Sequence, residues 1–409
     1  MISPILPLYD RANIDFTHGK GMYLYDKSNK KYIDFAAGYA AMAFGHCHPK
    51  LVETIQQQAE KLWHISNRFK IPGLYEYSKR LCDNTFADTA FIANSGAEAV
   101  ECMIKMCRRY FNEQGKKDKF HIITFEGAFH GRTLATASAG AAEKIIGFEP
   151  AVQGFHRVPF QDLNAIKKAI NKNTAGILFE PIQGEGGMHA HDEQFVKDLR
   201  ALCDQEDILL LADEIQCGMG RTGWLTACQM YGIKPDLMAL GKGLGSGYPI
   251  SACLATERVG KAMKSGTHGS TFGGNPMAVA IGTTVLDEML APEFLPRVKE
   301  ISKYLRDKLD ILAGTHPLYI DEIRGSGLMM GIKFKPAIDN YKFTDLCVEH
   351  GLLTIPASDN VIRLTPPLII EREHIDEGLE IIHNAIIDYG KPLNKIKRGI
   401  KTVIKKLIS

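Results

Sequence analysis

No run of 18 uncharged apolar residues occurs in the chain, so a membrane-spanning helix is not expected. Paired cysteines are missing as well. The nine cysteines are scattered, with neither the spacing of a disulfide scaffold nor that of a zinc site. Cys102 and Cys107 fall on one expected helix and Cys217 in a glycine-rich loop, which suits reduced thiols in a cytoplasmic protein. The opening Met1-Ile2-Ser3-Pro4-Ile5-Leu6-Pro7 lacks the basic start and long apolar core of a secretory leader. Acidic residues are absent from 391–409, where Lys391, Lys395, Lys397, Arg398, Lys401, Lys405 and Lys406 make a basic tail. With that tail set aside the body is mildly acidic, and no basic stripe marks a nucleic-acid surface. Within the tail, Leu393, Ile396, Ile400, Val403, Ile404 and Leu407 recur mostly at three and four residues. That predicts a basic amphipathic helix, packed on the body or a partner subunit, or lying on an anionic membrane surface.

At 409 residues, 45% of them apolar and 23% charged, the chain reads as soluble and globular but too long for one hydrophobic core. Residues 1–22 read as irregular, broken by Pro4, Pro7, Gly19 and Gly21, and a hairpin follows through Met22–Asp26 and Lys31–Phe35. Apolar runs near 91, 121, 176, 209, 237 and 251, separated by stretches of helical periodicity, predict an α/β domain on a mainly parallel sheet. From about 292 the order changes to helix 294–312, strands 320–324 and 328–334, a helix near 341–350, strand 360–364 and a closing helix near 371–389. That is a smaller α+β unit. The expected division is 1–48, joining the small domain; 49–291, the large domain; 292–390, the small domain; and the tail 391–409.

Two features carry chemistry most directly. The apolar run Ile208-Leu209-Leu210-Leu211-Ala212 before Asp213 reads as a buried strand delivering a carboxylate at its end. Leu237–Leu240 delivers Lys242 in the same way, with enough chain between for a crossover back to one face of a parallel sheet. An acid and an amine at neighbouring strand ends are what pyridoxal phosphate needs, the acid for the pyridine nitrogen and the amine for the aldehyde. The plain alternative is a rim salt bridge.

Other stretches are individually weaker. Ser95-Gly96-Ala97 sits between a strand and a helix, where free N–H groups suit a phosphate, though many such turns hold nothing. Phe129, His130 and Arg132 share one loop, in which an aromatic can stack on a planar ring or pack inward, and an arginine can clamp a carboxylate. Glu180 to Gly187 holds two acids and three glycines, either a ligand-approaching loop or a surface turn. Gln216 to Gly223 reads as flexible and glycine-rich, and Thr267 to Pro276 as a polar loop before a helix. Arg363 projects from a strand as a solvated edge residue or an anion anchor. His46 and His48 tempt a metal reading, but no third ligand is near, and no metal is expected.

Placed together, these stretches resemble a known family. The segments are Tyr32-Ile33-Asp34-Phe35, Gly45-His46-Cys47-His48-Pro49, Asn94-Ser95-Gly96-Ala97-Glu98-Ala99, Phe129-His130-Gly131-Arg132-Thr133 and Glu180-Pro181-Ile182-Gln183-Gly184-Glu185-Gly186-Gly187. Asp213-Glu214-Ile215-Gln216, Gly241-Lys242-Gly243, Thr271-Phe272-Gly273-Gly274-Asn275-Pro276 and Arg363-Leu364-Thr365-Pro366-Pro367 follow in order. Over about residues 8–388 the chain resembles the class III (omega-amino) aminotransferases of the type I pyridoxal phosphate fold. Leu62-Trp63-His64-Ile65-Ser66-Asn67 leans toward the acetylornithine type, with the ornithine type as close kin and succinylornithine, succinyldiaminopimelate and 4-aminobutyrate types as rivals.

The resemblance implies an α/β architecture with a mainly parallel seven-stranded sheet plus a smaller α+β domain, pyridoxal 5′-phosphate as cofactor, and a homodimer with sites at its interface. By the same carry-over Lys242 is the Schiff-base lysine and proton shuttle, Asp213 the partner of the pyridine nitrogen, and Gln216 the neighbour of the ring hydroxyl. Phe129 is the stacking aromatic, with His130 beside it among the cofactor-binding residues. Ser95, Gly96 and Ala97 bind the phosphate, and Thr271 reaches it from the other subunit. Arg363 anchors the α-carboxylate, Arg132 recognises the far carboxylate, and Glu185 masks or frees an arginine between half-reactions. The implied reaction moves the δ-amino group of N2-acetylornithine to 2-oxoglutarate, a step of arginine biosynthesis. His18, Gly241, Ser246 and Cys217 depart from the family pattern, which weakens the substrate assignment slightly and leaves the cofactor chemistry intact.

Overall fold

The computed structural model describes residues 4–391, so the expected tail helix lies outside them apart from Lys391. A seven-stranded sheet runs in the order Thr89–Ala93, Ser251–Ala255, Leu237–Leu240, Leu209–Asp213, Thr174–Phe179, His121–Phe125, Phe155–Val158. Ser251–Ala255 is antiparallel to both its neighbours, and the other pairings are parallel. The four central strands are buried along their whole length, which is why they read as apolar runs with a polar residue only at an end: with helices on both faces, no position faces water.

Leu209–Asp213 and Leu237–Leu240 are direct neighbours, with Asp213 opposite Ala239. The acid and Lys242 therefore leave the sheet side by side at its carboxyl edge, where open α/β sheets place their ligands. Glu214 points the other way. It is fully buried and accepts from the N–H groups of Ala227 and Cys228, starting the short helix Ala227–Met230.

A second sheet, Ile320–Ser326, Met329–Phe334, Val361–Leu364 and Ile355–Ala357, is antiparallel throughout. Helices Phe294–Thr315, Asn340–Glu349 and Arg372–Gly390 cover it. Leu352–Leu353 pairs in parallel with Lys31–Asp34, which ties the N-terminal strands to this second unit. Among the described residues no helix is long and apolar enough to cross a membrane.

Two expectations are corrected. Residues 1–22 are not wholly irregular, because Phe16–Lys20 is a strand paired with Tyr23–Asp26. Gly21, at φ +56, makes the tight turn between them, so the glycine acts as a hairpin residue and not as a breaker. The glycine-rich stretch 216–223 is not a flexible loop but almost entirely buried. A Cβ at Gly218 would meet the Glu214 carbonyl oxygen at 2.6 Å, and one at Gly223 would meet Lys299 Cγ at 2.4 Å, so these glycines serve close packing.

Candidate active site

Asp213 is 4% exposed, and its two carboxylate oxygens have separate partners: His130 Nδ1 lies 2.7 Å from Oδ2, and the Ile215 N–H donates to Oδ1 at 3.1 Å. His130 is buried behind the carboxylate, which fixes its orientation. Burial alone would lower the imidazole's pKa, but the hydrogen bond and charge of Asp213 outweigh it and the net direction is upward. A third buried group, Glu180, accepts from the N–H of Phe129 at 2.8 Å. Burial first, and then the repulsion of Asp213, pushes its pKa up. Glu180 was not singled out from sequence. Its signal was there, an acid directly after a fully buried, mainly apolar strand, much as Asp213 ends its own.

Lys242 has φ +44, the left-handed region, where a non-glycine residue costs about 1–2 kcal/mol. Such strain is kept where the surroundings dictate a side-chain position. Burial first, and then the nearby Arg363 charge, lowers its amine to about 8, against the opposing pull of Asp213, Glu180 and Glu185. Among the described residues it has no ion-pair partner, so a neutral, nucleophilic amine is accessible near neutral pH. Ser246, one of the departures noted above, accepts the Phe44 N–H at 2.9 Å and braces the loop after Lys242.

Ser95 starts the helix Gly96–Glu113 through a capping box with Glu98. Its hydroxyl donates to Glu98 Oε2 at 2.9 Å, so the cap occupies it, while among the described residues the N–H groups of Gly96 and Ala97 have no protein acceptor. These two N–H groups at a helix N-terminus suit a phosphate. Gly96 also has a packing role. A Cβ there would lie 2.7 Å from Ile215 Cδ1, so the glycine makes room for Ile215, which also packs against Gly241. Ile215 thus fills the space between the helix start and the lysine loop. Gln216 lies next to Gly184, and its Oε1 is buried without a partner.

Arg363, 3% exposed, forms an ion pair of 2.7 Å with Glu185 and donates to the Pro356 carbonyl at 3.1 Å. Its Nε is buried and unpartnered. The Tyr39 ring lies 5.3 Å from the guanidinium, inside a left-handed turn in which Ala37, Gly38, Tyr39 and Ala40 all have positive φ. Asp34 holds that turn, accepting from the N–H groups of Ala36 and Ala37 at 2.8 Å each. Neither Tyr39 nor the turn was expected from the sequence, since only Gly38 in it favours such a backbone.

The remaining expected residues are less closely joined. Arg132 is exposed and packs over the half-buried Phe129 ring at 5.5 Å, so the two share a loop as expected. Thr271 is exposed and makes no side-chain hydrogen bond among the described residues, whereas Ser270 beside it accepts from Asn94 Nδ2 at 3.1 Å. His46 does not act with His48: it sits 2.8 Å from Asp34, and the His48 ring packs on Phe44.

The chain is similar to proteins already known. Residues 7–386 match the family described as Aminotransferase class-III. The acetylornithine aminotransferase of Agrobacterium fabrum is 48% identical over 384 residues, 94% of this chain and 96% of that protein. The crystal structure of ornithine aminotransferase from Toxoplasma gondii superposes with a TM-score of 0.90 at 31% identity, covering 94% of this chain and 92% of that one. For N-acetylornithine aminotransferase from Stenotrophomonas maltophilia the TM-score is 0.82 at 36% identity, covering 93% and 97%.

Proposed function

The chain belongs to the class-III aminotransferases, and from that premise we propose that it transfers the δ-amino group of N2-acetylornithine to 2-oxoglutarate. The products are N-acetylglutamate 5-semialdehyde and glutamate, formed by ping-pong chemistry with pyridoxal 5′-phosphate. The observation that carries this reading is the 2.7 Å pair between buried Arg363 and Glu185. A donor whose α-amine is acylated presents its δ-amine while Glu185 occupies the anchor. Once the Glu185 carboxylate swings away, Arg363 is free for the α-carboxylate of 2-oxoglutarate.

The residues present suit the cofactor. Gly96 and Ala97 offer free N–H groups, the buried Gln216 Oε1 lacks a partner, and Asp213 is held in one orientation by His130. Bound there, the protonated pyridine ring supplies an electron sink for the C–H bond at the amine-bearing carbon. The protein's share is orientation and proton transfer. Asp213 keeps the ring nitrogen protonated, and the neutral amine of Lys242 takes and returns the carbon-bound proton. Phe129 stacks, Arg132 takes the distal carboxylate, and Glu185 gates Arg363. The names of the sequence relatives support the acetylornithine reading.

A second reading, ornithine aminotransferase, is favoured by the higher TM-score with the Toxoplasma gondii structure than with the Stenotrophomonas maltophilia one. We further read the protein as a cytoplasmic homodimer divided at about residues 48, 291 and 390, with Thr271 reaching the partner's phosphate site. The exposed Trp63, Phe69 and Phe272 support a covered face. A donor panel with 2-oxoglutarate tests the substrate. The highest kcat/KM is expected for N2-acetylornithine over ornithine, succinylornithine, N-succinyldiaminopimelate and 4-aminobutyrate, and a higher value for ornithine would select the second reading.

A further inference from the structure

We propose that Arg324 is a positioning residue for the Glu185 gate, pinning the main chain of its loop so that only the Glu185 side chain moves between half-reactions. The inference rests on the reading of Glu185 as the gate and adds what sets its position. Glu185 stands on the loop between Glu180 and His189, and that loop is held to the smaller unit at four points. The Ser358 N–H donates to the Glu185 carbonyl at 3.0 Å. Arg324 Nη1 donates to the Gly187 carbonyl at 3.4 Å and lies 3.1 Å from His189 Nε2. Burial, and then the charge of Arg324, lowers the His189 pKa, so the imidazole stays neutral and its Nε2 can accept. Met188, at φ +58 and 0% exposed, is inserted into a small apolar cluster with Met329, Ala357, Val361 and Cys217.

Arg324 is itself fixed. Its Nε donates to Glu322 at 2.7 Å, its Nη1 pairs with Asp359 at 2.7 Å, and Lys333 holds Asp359 from the other side at 3.1 Å. Two glycines make this closeness possible. A Cβ at Gly187 would stand 3.2 Å from Arg324 Nη1, and one at Gly331 would stand 2.9 Å from the Met188 Cβ. The carbonyl of Glu185 and the chain two and three residues beyond it are thereby fixed to the same sheet that carries Arg363, which lies opposite Gly331. Anchor and gate share one frame, and opening the gate takes rotation about side-chain bonds alone. Loss of Arg324 frees the loop, so the carboxylate spends less time on Arg363 and plain α-amino acids gain access to the anchor.

The experiment compares kcat/KM for N2-acetylornithine with that for L-norvaline, which has only an α-amine to give, in the cofactor-loaded enzyme. Glu185→Ala is expected to lower this ratio about tenfold, and Arg324→Ala about threefold or more. Arg324→Lys should recover part of the loss. The double variant should fall no further than Glu185→Ala alone, because both changes act on one device. If Arg324→Ala does not fold, Arg324→Gln is read in the same way. A lowered ratio in Glu185→Ala with an unchanged ratio in the Arg324 variants would overturn the inference and leave the gate intact. Losses that multiply in the double variant would also overturn it. An unchanged ratio in Glu185→Ala would remove the gate reading itself and the inference with it.

Discussion

Arg221 and Arg363 are both buried guanidiniums, and their partners differ in kind. Arg221 donates to backbone carbonyls of three segments, Leu328 at 3.2 Å, Pro366, and Ala40 at 3.5 Å, and among the described residues it has no carboxylate partner. Burial lowers its pKa to about 9. Arg363 has one carbonyl, Pro356, and one carboxylate, Glu185, whose side chain is 28% exposed. A carbonyl cannot leave, so Arg221 is a permanent fastening between the glycine-rich stretch, the second sheet and the left-handed turn. A carboxylate with one side in solvent can leave, so Arg363 is a place where something else can bind. The difference between a structural and a functional buried cation lies here in whether the partner can be exchanged.

The comparison breaks most readily at Arg221. Arg221→Met should cost about 3–5 kcal/mol of folding stability, because several buried carbonyls lose their donor together. Urea denaturation measures this, and a loss below about 1 kcal/mol would mean that the carbonyls find other donors. Arg363→Met should do the reverse, with stability changed by about 1 kcal/mol or less and kcat/KM for 2-oxoglutarate lowered about a hundredfold. Equal effects of the two substitutions on both stability and turnover would erase the distinction. A smaller effect should appear at Lys242. Because Arg363 is the main charge holding the amine down, Arg363→Met should move the pH midpoint of Lys242 labelling by an amine reagent upward from about 8. The sign follows from removing a positive neighbour, which makes the protonated amine easier to keep. A midpoint that stays or falls would show that burial alone sets it.

Some of this was readable in the sequence and some was not, for physical reasons. Asp213 and Lys242 were legible because strands buried on both faces must be apolar throughout, so the first polar residue after each stands out. The edge strand Phe155–Val158 was missed because the exposed His156 and the half-buried Arg157, which donates to the Gly140 and Ser138 carbonyls, interrupt that pattern. Arg221 was hidden by its glycines, which signal flexibility in a sequence but here permit close packing. The turn at 37–40 left no trace, since Ala37, Tyr39 and Ala40 do not favour positive φ and are held there by Asp34 and the tertiary fold. The meeting of Glu185 with Arg363, far apart in the chain, was available only through family resemblance.

The central claim is that the Lys242 amine takes up pyridoxal phosphate and passes protons at the substrate carbon. Purified wild type and Lys242→Ala, each saturated with pyridoxal phosphate, should be compared by visible absorption and by single-turnover reaction with N2-acetylornithine. Wild type is expected to show a lysine-linked absorption band that vanishes when donor is added. Lys242→Ala is expected to hold the cofactor without that band and to lose at least about a thousandfold in rate. A Lys242→Ala protein with the wild-type band and wild-type turnover would contradict the account.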